Sequence, residues 1–294
     1  MIHFSRRCCS PAIQLHVGYR TDKSSPGTHI RITSGGARAG RRGTPTAVLR
    51  PNRRAKVTAV NTEGSDLSAN RLLAMLPIVD IERLGPALTT VSLETGLVLN
   101  EPGDEPERIY FPHTGMISLL AVMADGKAVE TATVGREGVV GAMAGLGVHL
   151  TLTRAVIQVP VVASRISAAP FRRAVQASEA LRDMIVCYND VLLGQVQITA
   201  ACNALHPLQK RLARWILQTR DRIDTDMVPL TQELLSEMLG VRRSSVSEIA
   251  KKLQTGGLIR YSRGSIEILK RAALEAAACE CYSLISGKSK RLRP

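Results

Sequence analysis

The chain has 294 residues, 45% of them hydrophobic and nine of them aromatic, with 39 Lys or Arg against 25 Asp or Glu for a net charge of +14. That length supports two domains with a substantial core, and the composition excludes a disordered or fibrous protein. So few aromatic rings leave little for a base-stacking platform, while the basic excess points to a polyanionic partner, nucleic acid or membrane.

The charge is unevenly placed. Residues 1–60 hold 12 basic residues and one acid, residues 61–205 hold 10 and 15, and residues 206–294 hold 17 and 9. The chain thus has a basic head, an acidic middle and a basic end. The head is rich in Arg, Gly, Ser and Thr without periodicity, so 1–62 is expected to be a disordered extension. An inert tail or a gene-start artefact fits it best; a basic arm on DNA phosphates and an organelle leader are the alternatives. The first residues lack the apolar segment of a signal peptide. The longest uncharged stretch, 191–209, contains Gln195, Gln197, Asn203 and His206, too polar for a bilayer core. The expected location is cytoplasmic, with no membrane partner. Cys8, Cys9, Cys187, Cys202, Cys279 and Cys281 are then expected to be free thiols.

Order is expected to begin near Ser68, an N-cap candidate for a short helix over 69–76, followed by a second over 80–88. Strand signals occupy 89–93, 97–100, 108–111, 115–123, 127–134 and 154–162. Asp125-Gly126 between two apolar runs marks a hairpin. Many short strands at this spacing predict a barrel or jelly roll over 63–176, ending in a helix over 169–176. One long helix is predicted over 179–203. Its seam of Leu181, Ile185, Tyr188, Leu192, Gln195, Thr199 and Cys202 repeats at alternating spacings of four and three. The reading preferred here is a dimerisation helix over 177–204, against a helix packed on its own barrel.

The stretch 229–268 carries the most information. Leu234, Leu235 and Met238 form the inner face of one helix, Gly240 sits in a turn that needs positive φ, and Val246, Ile249 and Leu253 line the inner face of a second helix. Thr231 opens the first helix. Arg242, Arg243, Ser244, Ser245, Ser247, Glu248, Lys251 and Lys252 lie on the turn and outer face. Arg can read guanine bidentately, Glu can accept from cytosine and Ser can do either, while the two lysines suit phosphates. Two strands, 258–261 and 265–269, then form a wing with Arg263 at its tip. The region 205–285 is expected to be a winged helix-turn-helix, leaving 286–294 as a basic tail.

This order of elements, together with HPLQKRLARWIL and LTQELLSEMLGVRRSSVSEIAKKL, resembles the Crp/Fnr family of bacterial transcription regulators over about residues 65–285. The resemblance implies an α+β fold: an N-terminal β jelly roll of the cyclic-nucleotide-binding type, a long dimerisation helix and a C-terminal winged helix-turn-helix. It implies a homodimer on double-stranded promoter DNA, with RNA polymerase as a further partner. The positions facing DNA would be Arg243, Ser244, Ser247 and Glu248. The family often has Glu and Arg where this chain has Ser244 and Glu248, so its operator does not carry over.

The effector site departs further. Cyclic-nucleotide binders place a Glu after a Gly for the ribose hydroxyls, and an Arg some ten residues on for the phosphate. Here the match is Gly141-Ala142 and then Arg154, so no cyclic nucleotide cofactor is expected; Glu137 would substitute only through a register shift. Glu137, Gly141, Arg154, Gln195 and Thr199 form the candidate effector site. Oxygen sensors of the family use spaced N-terminal cysteines, whereas Cys8 and Cys9 are adjacent. Cys279 and Cys281, read as two apart on one helix, point to different faces. No metal is expected, and His113 and His206 are read as turn and helix-start residues. An enzyme using His113 or Glu137 as acid or base finds no paired nucleophile, metal set or phosphate loop. A DNA-independent sensor or scaffold is the remaining alternative.

Overall fold

The computed structural model describes residues 56–59, 67–148, 150–262 and 264–290. All lie in one compact unit, 46–294. The expectations for 1–55, including those for Cys8 and Cys9, and for Arg263 fall outside the described residues.

Two four-stranded antiparallel sheets face each other. One has the order β1 (Val57–Ala59), β2 (Thr89–Leu93), β8 (Val161–Ser167) and β4 (Arg108–Pro112). The other has the order β3 (Val98–Asn100), β7 (Arg154–Val159), β5 (Met116–Val122) and β6 (Ala128–Val134). Inward-facing residues alternate along each strand and meet as a core of Val91, Leu93, Tyr110, Ile117, Val134, Ile157 and Val161. The β5–β6 turn forms where Asp125-Gly126 predicts it. Gly126 has φ +82° and donates its N–H to Met123 O at 2.9 Å, and Asp125 Oδ1 accepts from Lys127 N at 3.1 Å.

Four local expectations need correction. The region 69–76 holds two 3-10 turns, Leu67–Ala69 and Leu73–Met75, in place of an α-helix. Buried Asn70 accepts from Leu72 N and Leu73 N and donates to Pro112 O and Gly138 O, so it ties the chain to the sandwich at the point where a helix would continue. Order begins earlier than Ser68, because β1 pairs with β2 as an edge strand too short to show a period. The single strand expected over 154–162 is two, β7 and β8, divided at Pro160, which has no N–H for a ladder. The boundary at 285 falls inside a helix that continues to Lys290.

The helices follow the sandwich. After α1 (Ile78–Leu84) and α2 (Ala168–Ala177) comes α3 (Glu179–Leu205), capped by Ser178 Oγ, which accepts from Leu181 N. The chain breaks at His206 and Pro207, both extended, and enters α4 (Leu208–Ile223). The last domain adds β9 (Met227–Val228), α5 (Gln232–Met238), α6 (Arg243–Thr255), β10 (Ile259–Ser262), β11 (Ser265–Ile268), α7 (Arg271–Ala277) and α8 (Cys281–Lys290). The wing is three-stranded, in the order β10-β11-β9; two-residue β9 carries no sequence signal of its own.

The proposed dimer seam proves internal. Leu181, Ile185 and Tyr188 are buried with Phe171, Ile109 and Val139 of the same chain. Gln195 lies 3.1 Å from the Thr133 hydroxyl on β6, and Cys202 packs beside Cys279. The seam turns inward because the sandwich and α2 cover its first part, Gln195 finds a partner on β6, and the C-terminal helices cover its end. What α3 exposes is a different stripe, including Val186 and Leu193 at 57% and 50% exposure.

Candidate nucleic-acid interface

α5 and α6 are joined through Gly240 at φ +64°. Leu235, Met238, Val246 and Leu253 are buried together with Trp215 of α4 and Ile259 and Ile266 of the wing. This packing fixes which face of α6 is outward. Arg243, Ser244, Glu248, Lys251 and Lys252 are all exposed on it.

The other expected contacts already have structural work. Thr231 is the N-cap of α5, its Oγ1 accepting from Leu234 N at 3.2 Å. Ser247 Oγ donates to Gln232 Oε1 at 2.7 Å, linking the two helices of the motif. Glu248 pairs with Lys252 one turn on, at 2.8 Å, and that hydrogen bond and charge hold the Glu248 carboxyl below its ordinary range. Arg243 lines a second, smaller hollow with Gln232 and Tyr261, neither of which was singled out from sequence. Neither position carries a charge that would mark it in the sequence.

Arg242 and Ser245 look elsewhere. They line a cleft of about 860 Å³ whose opposite wall is Met123, Lys127 and Val129 of the β5–β6 hairpin. The start of α6 therefore faces the chain's own β-domain. At Gly240 a Cβ would lie 3.3 Å from Val129 Cγ2, so the turn sits directly against the hairpin.

The two charged candidate effector residues are each paired within the chain. Arg154 Nε donates to both Glu101 oxygens, at 3.0 and 2.9 Å, so the cation expected for a phosphate is held by an internal carboxylate. Glu137 pairs instead with Arg222 of α4, at 2.8 Å, with 15% and 7% of their side chains exposed. Gly141 sits at φ +85° at the head of the 3-10 turn Ala142–Leu146. Gln195 and Thr199 are buried along α3. Ala142 stands where the family's cyclic-nucleotide binders place a ribose acceptor.

Sequence reasoning missed the polar seam between the domains. Glu130 of β6 is buried and accepts from Ser118 Oγ and from Trp215 Nε1, each at 2.6 Å. Burial raises its carboxyl from the ordinary 4.5 to about 7, while those two hydrogen bonds and the charges of Arg214 and Arg222 oppose the rise. Arg211, Arg214, Gln218 and Arg222 recur at helical spacing along α4, and all are buried. That periodicity was the available signal.

A Crp-like helix-turn-helix domain matches residues 210–277, and a cyclic nucleotide-binding domain matches residues 90–178. The chain belongs to the Crp/Fnr family of transcription regulators. The order of β-sandwich, long helix and winged helix-turn-helix is the family's architecture. It is similar to a regulator assigned to the Crp/Fnr family from Eubacterium rectale, at 17% identity and TM-score 0.57, covering 71% of this chain and 98% of that one. It is similar also to FixK2 from Bradyrhizobium japonicum, at 15% identity and TM-score 0.57, over 65% and 98% of the two chains. The c-di-GMP responsive global regulator CLP from Xanthomonas campestris matches at 17% identity and TM-score 0.55, over 65% and 99%. No curated protein matches the sequence. Among the described residues no helix is long and apolar enough to cross a membrane.

Proposed function

We propose that this Crp/Fnr-family chain is a cytoplasmic, homodimeric, non-enzymatic regulator whose α6 reads a palindromic promoter site from the major groove, with RNA polymerase as a further partner. The observation that carries the reading is the outward face of α6. It presents Arg243, Ser244, Glu248, Lys251 and Lys252 to solvent while the opposite face is locked into the core. Two such helices must be about one DNA turn apart to read half-sites together. The stripe of α3 containing Val186 and Leu193 is the face available for pairing with a second copy.

The docking of the α5–α6 turn on the β5–β6 hairpin supports regulation by domain movement. Arg242 and Ser245 line the cleft that faces the hairpin, and a swing of the winged domain about the break at His206-Pro207 would open that side to a groove. An effector bound more tightly by one arrangement would shift that balance. No cyclic nucleotide is proposed as that effector, because Arg154 Nε is paired with Glu101 and Ala142 offers no ribose acceptor. Isothermal titration with cAMP and cGMP is expected to show no binding.

A promoter-selection experiment followed by gel shifts across salt concentrations tests the main reading. Arg243→Ala is expected to cost ~1–3 kcal/mol on the selected site and to relax base preference at one position. Lys252→Ala is expected to weaken all sequences alike and to reduce the salt slope by about 1. If selection enriches no sequence, the regulator reading fails and a DNA-independent scaffold replaces it.

A further inference from the structure

The end of α3 and the link between α7 and α8 bring together four side chains that are far apart in sequence. Cys202 lies in the last turn of α3, and His206 four residues on caps it, so both face the same way. Cys279 lies in the turn after α7, and Cys281 is the first residue of α8. The sequence expectation that these two cysteines diverge on one helix is corrected here, since the helix is broken between Ala277 and Cys281 and the two thiols converge.

One ligand atom from each of the four residues lies within 4.8 Å of every other. Cys202 Sγ is 3.5 Å from Cys279 Sγ, and Cys281 Sγ is 3.5 Å from His206 Nδ1. A tetrahedral zinc with bonds of about 2.3 Å to sulfur and about 2.0 Å to nitrogen requires ligand separations of roughly 3.5–3.8 Å. The three cysteines are buried, none of them in a disulfide, with Ile198 packed against them. On its other ring nitrogen, His206 Nε2 meets Glu280 Oε1 at 3.1 Å. That is the arrangement that orients a metal-bound imidazole through an outer carboxylate. Arg211 and Arg214 are within electrostatic reach of Cys202, which offsets the negative charge of three thiolates. A bridged iron–sulfur cluster inserts sulfides between its irons and needs a wider cage than these atoms leave.

From this convergence we propose that Cys202, His206, Cys279 and Cys281 form a Cys3His site for a single zinc ion, stapling the end of α3 to the C-terminal helices across the break at His206-Pro207. All four coordination positions are filled by the protein, so the site is structural and not catalytic. Zinc would hold the winged domain's C-terminal helices to the end of α3. This proposal concerns metal content and stands whether or not the chain binds promoter DNA.

The test uses the full chain, purified without chelator under reducing conditions. Elemental analysis is expected to give one zinc per chain, retained through gel filtration. Exchange with Co²⁺ alone is expected to give the strong visible bands of a tetrahedral, thiolate-rich cobalt site. Those bands report ligand type and need no DNA. Cys279→Ser is expected to abolish the bands. Glu280→Gln, which leaves the four ligands intact, is expected to keep them while weakening metal affinity by ~10-fold. A metal-free protein that binds neither Zn²⁺ nor Co²⁺, a Cys202–Cys279 disulfide in the purified chain, or iron with the absorbance of a bridged cluster would each overturn the proposal.

Discussion

At the residue scale, Glu130 is the most consequential side chain outside the recognition helix. Its carboxyl is held by Ser118 and Trp215, one from the adjacent strand and one from α4, so it belongs to both domains. Burial favours the neutral form, which places its titration near neutrality, at about 7 against 4.5 when unfolded. Between those values the folded chain binds more protons than the unfolded one. Its contribution to stability is therefore greatest on the acid side and is lost as pH rises through about 7. The full swing is on the order of 3 kcal/mol for this group. Urea denaturation at pH 5 and pH 8 is expected to show that loss, and Glu130→Gln to flatten it; an unchanged pH dependence in the variant would assign the effect to other groups.

At the scale of elements, α4 touches both domains. One side of it packs Leu212 and Ile216 among residues of the winged domain's core, while Arg222 reaches back to the sandwich. The loop 135–138 clasps the end of this helix twice, through Glu137 to Arg222 and through Arg136 to Asp224. The first pair is buried; the second is on the surface and is worth little. Arg222 also donates to Gln218 O at 2.9 Å. Removing Glu137 leaves a buried guanidinium without its carboxylate. Glu137→Ala is expected to destabilise the chain by about 3 kcal/mol, read from the shift in urea midpoint. Arg136→Ala is expected to change it by under about 1 kcal/mol, and equal effects from the two would refute this division.

For the whole molecule, the decisive feature is the contact between the β5–β6 hairpin and the α5–α6 turn. A Cβ at Gly240 would lie 3.8 Å from Val129 Cβ, a separation suited to a disulfide. Val129→Cys with Gly240→Cys is expected to cross-link under oxidation despite about 1 kcal/mol of strain at the positive φ. The cross-linked chain is expected to lose specific DNA binding and to regain it on reduction. Undiminished binding in the oxidised form would show that the docked arrangement already reads DNA.

The helix-turn-helix was legible because each of its parts is local. Gly240 answers a backbone requirement, Leu235, Met238, Val246 and Leu253 follow helical spacing, and Arg243 to Lys252 fall on the remaining face. The β-hairpin at Asp125-Gly126 was legible for the same reason. Where only tertiary structure decided, partners lie far apart in the chain. The Leu181–Cys202 seam has the spacing of a dimer interface or of a helix on its own sandwich, and spacing alone does not say which surface arrives. Glu137 and Arg154 have the chemistry of a ligand site, yet each is neutralised by a residue 85 or 53 positions away. Cys202 and Cys279, 77 positions apart, meet only because α3 and α8 pack together. Sequence by itself determined the helix-turn-helix, the hairpin and most of the strands, through local periodicity and turn chemistry. The fold alone decided which charges are spent internally and which thiols converge, because burial and pairing depend on neighbours that the order of residues does not state.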